Sequence, residues 1–291
     1  MTRKASPTQI ILTYLALTIV LSSFFYAIVI YTGNLRGGGS SFPYATDLMW
    51  SPGVAALLTY VLLGLNLGDL GWRWGETRYM AAAYLIPLFY CAIAYGGVWI
   101  SGLGHFYNRE FVAGLVTTYG LGKLSPALLI GMQVFFSMTG ALVLAVGRAL
   151  GEEIGWRGLL APQLSKRFNF TTTALICGCI HGVWHFPVLL FSNYNEGTPS
   201  WYALICFMVA IIAFSFIITW LRLKSGSVWA AALFHASHNV WIQQIFTPLT
   251  ASTGKTAYFI DEFGAAVPIV MTIVAIYFWT RRKEVEQLTM V

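Results

Sequence analysis

Long apolar runs recur along the whole chain, and that recurrence constrains the fold more than any other feature. A helix needs about 20 mostly apolar residues to cross the hydrocarbon core of a bilayer. Eight segments qualify: 8–31, 50–67, 79–101, 126–149, 171–191, 200–221, 226–247 and 264–280. They leave no room for a separate soluble domain, so residues 1–291 read as one integral membrane domain. Charged residues make up only 10% of the chain. Soluble domains carry about 25%, so this chain could not coat a water-facing surface. The expected fold is all-α: a polytopic transmembrane helical bundle of about eight spans, with the lipid bilayer as its surroundings.

The net charge of +6 comes from 17 Lys and Arg against 11 Asp and Glu. In a soluble protein that excess would point to nucleic acid. Here the basic residues, Arg148 excepted, fall outside the apolar runs, and no nucleic-acid partner is expected. With eight spans both termini share a side. Arg36, Arg109, Lys123 and Lys255 fall on the other side, and the remaining 13 of the 17 fall with the termini. The positive-inside rule therefore places both termini in the cytoplasm. Arg3 and Lys4 precede the first run as in a signal peptide, but the run exceeds the about 7–15 residues of a signal core and no A-x-A site follows it. It reads as an uncleaved span. Cys91, Cys177, Cys179 and Cys206 all lie inside apolar runs and read as buried free thiols. Gly37–Ser41 is the one low-complexity patch.

Ionisable residues at membrane depth are expensive and mark functional sites. Three clusters stand out. In Gly151-Glu152-Glu153-Ile154-Gly155-Trp156-Arg157, Glu153 and Arg157 are four apart and can pair on one helix face. Glu152 then points about 100° away, free for proton transfer. A charged turn at the membrane surface is the ordinary alternative. In His181-Gly182-Val183-Trp184-His185-Phe186-Pro187, two imidazoles share a face at a spacing that suits metal ligation or paired proton transfer. In His235-Ala236-Ser237-His238-Asn239, His235 and Asn239 share a face and make a donor pair for an oxyanion, where the ordinary alternative is polar glue between helices. The weight lies in the conjunction. Four of the five histidines and the one Glu-Glu pair sit in three spans, while His105 falls in a loop.

At these residues the chain resembles the CAAX protease and bacteriocin-processing family of intramembrane glutamate endopeptidases, which includes the Ras-converting CAAX endopeptidase. That family carries Glu-Glu-xxx-Arg, aromatic-xxx-His and His-xxx-Asn on successive transmembrane helices. Here the first is Glu152-Glu153-xxx-Arg157 and the third His235-xxx-Asn239. The motif-bearing core runs from about 126 to 247, and Gly155-Trp156-Arg157-Gly158 looks like bacterial members. Gly68-Asp69-Leu70-Gly71-Trp72 resembles a segment often seen in the family. In the middle motif His185 is taken as the motif histidine, with His181 where an aromatic is usual; choosing His181 instead would put Cys177 at the aromatic position.

The resemblance implies a cavity opening to the cytoplasm and peptide-bond hydrolysis inside it, without a cofactor. Glu152 and His185 would activate a water, His235 and Asn239 would stabilise the oxyanion, and Glu153, Arg157 and His181 would support the site. The substrate would be a peptide or a prenylated protein C-terminus, and the setting a prokaryotic cytoplasmic membrane. A zinc metalloprotease is the alternative within enzymes, with Glu152, His185 and His235 as ligands and His181 beside them. A proton-coupled carrier would need paired broken helices in inverted repeats, and none is visible. A binding protein that confers immunity to a peptide toxin would tolerate loss of Glu152, which an enzyme would not.

Overall fold

The computed structural model describes residues 5–32, 42–120, 122, 124–195 and 197–289. Arg3, Lys4, Arg36, Gly37–Ser41 and Lys123 lie outside the described residues. Helices dominate: α1 (Pro7–Thr32), α2 (Phe42–Leu62), α3 (Thr77–Ile100) and the short α4 (Arg109–Tyr119) come first. They are followed by α5 (Pro126–Ser165), α6 (Phe170–Phe191), α7 (Ser200–Ser225), α8 (Val228–Asn239), α9 (Ala266–Thr280) and α10 (Lys283–Thr289). Two residues each from β1 (His105–Phe106) and β2 (Thr250–Ala251) pair antiparallel. The chain is an all-α membrane bundle. By length and composition α1, α3, α5, α6 and α7 are long and apolar enough to cross a bilayer, and α9 is a shorter apolar helix.

Local chemistry sets the boundaries. Asn169 caps α6 by accepting from Thr172 N–H at 2.9 Å, and Ser227 caps α8 by accepting from Trp229 N–H at 3.1 Å. The second expected span, 50–67, is shifted in the structure. The helix begins at Phe42 and stops at Leu62, because Gly64 turns left-handed (φ 63°) and Leu65 N–H closes back on Tyr60 O at 2.8 Å. The fourth span does not end at 149. It continues through the charged stretch to Ser165, interrupted by π-helical segments at Ser137–Ala141 and Ile154–Leu160. Such segments are rare overall and concentrate at functional sites.

Helix α7 is the most buried of the spans and packs between α6 and α9. Helix α8 lies against α3 and α5, and α1 against α2. The cysteine expectation needs one correction. Cys91, Cys177 and Cys206 are buried, but Cys179 is exposed. Two residues along a helix is a turn of about 200°, so Cys177 and Cys179 cannot both face inward.

Candidate active site

The carboxylate pair sits where two helix backbones touch. A Cβ on Gly151 would lie 2.8 Å from Trp50 Cα and 2.9 Å from Met49 O, and one on Gly155 would lie 2.7 Å from Pro52 O. Only glycine allows α2 to cross α5 this closely. The close approach brings Glu152, Glu153 and Arg157 into the bundle, where they are 1%, 0% and 0% exposed. The reading of this stretch as a charged surface turn is thereby excluded.

The two neighbouring carboxylates face different partners. Glu153 takes Arg157 Nη1 at 3.2 Å from both of its oxygens, and His235 Nδ1–H donates to Glu153 Oε1 at 2.8 Å. Glu152 Oε2 lies 2.8 Å from His181 Nε2, on the adjacent helix. Arg157 Nη1 also lies 3.3 Å from His181 Nδ1. A guanidinium only donates, so His181 Nδ1 accepts and Nε2 carries the hydrogen that goes to Glu152. The guanidinium stands 5.5 Å from the centre of the Phe214 ring, while its Nε and Nη2 have no partner among the described residues.

The geometry separates the two histidines of α6. His181 is fully buried and meets Glu152. His185 is half-buried, and its Nδ1–H donates back to His181 O at 3.0 Å. Its ring packs against Phe207, with centroids 4.9 Å apart. Helix α6 runs unbroken through Pro187 to Phe191. Trp184 anchors it to α1: its Nε1–H donates to Ser22 Oγ at 2.8 Å, and its carbonyl accepts from Tyr26 Oη–H.

A cavity of about 510 Å³ opens off this cluster, lined by Glu152, His181, His185, His235 and Asn239. Asn239, half-buried, is the last residue of α8 before a further π-helical segment, Val240–Phe246. All the expected site residues are therefore brought together: five line the cavity, while Glu153 and Arg157 stand directly behind them. For a metal, the ligand atoms of Glu152, His181 and His185 lie within 4.8 Å of one another. That set has His181 where the expected zinc set had His235.

The sequence reading missed a second polar end of the cavity. Tyr90 Oη lies 2.5 Å from His238 Nδ1, and His238 Nε2 lies 3.9 Å from Glu262 Oε1. Glu262 accepts from Gln243 Nε2 at 2.8 Å and from Tyr194 Oη–H at 3.2 Å. Glu262 comes from the segment between α8 and α9, outside every apolar run, and only its neighbourhood in space reveals it.

The segment Gly68–Trp72 lies beneath α5, on the side away from the cavity. Arg222 ties the two together, donating from Nε to Arg157 O at 2.9 Å and from Nη2 to Leu70 O at 3.3 Å. Trp72 O in turn accepts from Trp229 Nε1–H at 3.0 Å.

Residues 133–241 match the model of the family described as type II CAAX prenyl endopeptidase Rce1-like. The chain is also similar to CAAX prenyl protease 2 of Methanococcus maripaludis, with 33% identity over 99 residues. That match covers 32% of this chain and 36% of the relative, so the chain spans about a third of the length of the curated protein it matches. Every residue of the Glu152–His181–His235 cluster lies within 133–241, and the part of the chain that builds the site is thus the part that resembles the Rce1-like CAAX prenyl endopeptidases.

Proposed function

We propose that this protein is an intramembrane endopeptidase of the glutamate type, hydrolysing peptide bonds of membrane-associated substrates. The observation that carries this reading is the pairing of Glu152 with His181 on the wall of a cavity, both withdrawn from solvent. A water beside Glu152 gives a proton to the carboxylate as its oxygen attacks the scissile carbonyl carbon. The carbonyl oxygen takes up the negative charge in a tetrahedral intermediate. His235, held by Glu153 through Nδ1, and Asn239 one turn further along supply donors toward that oxygen. The proton on Glu152 passes to the leaving nitrogen as the C–N bond breaks. The products are a carboxylic acid and an amine, and Glu152 is again a carboxylate.

In this reading His181 orients Glu152, whereas the resemblance implied that His185 shares with Glu152 in activating the water. His185 becomes a wall of the substrate cavity. The resemblance to a CAAX prenyl protease supports a peptide or a prenylated protein C-terminus as the substrate class, in a prokaryotic cytoplasmic membrane.

A second reading rests on the grouping of Glu152, His181 and His185, whose donor types suit a zinc ion. Against it, the Arg157 guanidinium stands 3.3 Å from His181 and places a fixed positive charge at the site. The test is hydrolysis of quenched-fluorescent peptides, farnesylated and unmodified, by purified protein in liposomes. Cleavage lost in Glu152→Gln and unchanged by a chelator supports the glutamate mechanism. Loss on chelation with recovery on adding zinc favours the metal. Binding of the peptides without cleavage, unchanged in Glu152→Gln, would mark a binding protein.

A further inference from the structure

The cavity and the basic loops occupy opposite ends of the bundle. One end is tied together by contacts among residues 67–76, 165–171, 220–228 and 281–286. Val228 N–H donates to Gly71 O at 2.8 Å, Phe170 N–H donates to Glu286 Oε1 at 3.1 Å, and Lys224 Nζ lies 3.2 Å from Glu284 Oε2. The other end is tied by the β1–β2 pair, by Asn108 N–H donating to Leu249 O at 3.0 Å and by Tyr202 Oη–H donating to Tyr258 O at 2.6 Å. Helix α1 starts at the first end, since Tyr14 packs on Trp156 while Tyr26, further along, reaches Trp184.

From Glu152, His181 and His235 the cavity walls run toward the second end only. They are the start of α2 at Ala45–Met49, the end of α6 at Val188 with Tyr194 just beyond it, the residues beyond α8 at Thr247–Pro248, and Asp261–Glu262. Among the described residues, none from 153–180 or 215–234, which lead to the first end, lines it. The basic residues are distributed the other way. Arg73, Arg78, Lys166, Arg167, Arg222, Lys224 and the run Arg281–Lys283 stand at the first end, against Arg109 and Lys255 at the second. Arg148 and Arg157 lie within α5 and mark neither end. Positive charge marks the cytoplasmic end of a bundle. The resemblance carried the expectation of a cavity opening to the cytoplasm, and the basic-residue count placed the termini there; the structure puts cavity and termini at opposite ends.

We propose that Glu152 is reached from the non-cytoplasmic face, and that the substrates are membrane-tethered peptide segments displayed on that face rather than cytoplasmic tails. The word substrate rests on the endopeptidase reading; the direction of access does not. The test is labelling with a membrane-impermeant maleimide in intact bacterial cells, then after permeabilisation, with the unaltered chain as background. Lys255→Cys and Arg167→Cys, both at exposed positions, report the two ends, and Ala45→Cys reports the cavity. The expected result is labelling of Lys255→Cys and Ala45→Cys in intact cells and of Arg167→Cys only after permeabilisation. Labelling of Arg167→Cys in intact cells overturns the proposal. So does protection of Ala45→Cys in cells where Lys255→Cys reacts. A second arm adds an impermeant reporter peptide to right-side-out and inside-out vesicles. Hydrolysis by right-side-out vesicles, lost in the inverted ones, is expected, and the reverse also overturns the proposal. Absence of hydrolysis in both orientations and in detergent strikes at the endopeptidase reading, while the direction of access is still decided by the labelling.

Discussion

Glu152 and His181 are 29 positions apart in sequence and 2.8 Å apart in the bundle, with both side chains almost completely withdrawn from solvent. A carboxylate that transfers the proton contributes about 10²–10⁴-fold to a hydrolytic rate, and it does so only while it is held in position. His181→Ala is therefore expected to lower kcat by about that factor. His185→Ala, which removes a bond to a backbone carbonyl and a cavity wall, is expected to act mainly on KM. Steady-state kinetics on one reporter peptide check the split; a larger kcat loss in the His185 variant would reverse the assignment.

Arg157 is the one cation within reach of Glu153 and His181 among the described residues. Removing one partner of a buried ion pair costs about 3–5 kcal/mol, because the other charge stays buried alone. Arg157→Ala should thus lower the unfolding midpoint in detergent sharply. Arg157→Lys should recover little of it, since an ammonium lacks the flat fork of a guanidinium.

Gly151 and Gly147 sit one turn apart on α5 and should answer alanine in opposite ways. A Cβ at Gly147 meets nothing within 4 Å, whereas at Gly151 it meets the backbone of Trp50. Overpacking costs about 1–3 kcal/mol. Replacing an unstrained helical glycine with alanine gains roughly 1 kcal/mol. Thermal unfolding of the two variants gives the comparison, and equal shifts would contradict the crossing described here.

Arg222 makes buried hydrogen bonds to Arg157 O and Leu70 O. Hydrogen bonds to charged groups contribute about 1.5–3 kcal/mol each. In Arg222→Met the segment 67–72 should exchange its amide hydrogens faster, while the amides of α9 keep their rate. Hydrogen exchange read by mass spectrometry measures both.

Much of the site could be read in the chain. The depth of the two histidine clusters inside apolar runs was visible, as was the Glu153–Arg157 pair, because a helix fixes which residues share a face; the burial of the carboxylates beyond the run 126–149 was not. Spacing left open which histidine serves Glu152. His181 and His185 share a face of α6, and the depth at which α5 crosses α6 decides between them. The π-helical segments after Glu153 and Asn239 were invisible, because an extra residue in a turn leaves no mark on composition. Glu262 was missed for a different reason: it folds into the bundle from a connecting segment, where hydropathy carries no information about depth.

The contact of Gly151 and Gly155 with α2 has one more consequence. Among the atoms that locate the carboxylates are main-chain atoms of Met49, Trp50 and Pro52, which have no rotamers to exchange and no side-chain volume to trade. Cavity walls such as Val188, Phe207 and Ile211 can change size one methyl at a time. Related chains can thus reshape what they accept without moving the groups that act on it, as a lathe keeps its spindle while the chuck is changed.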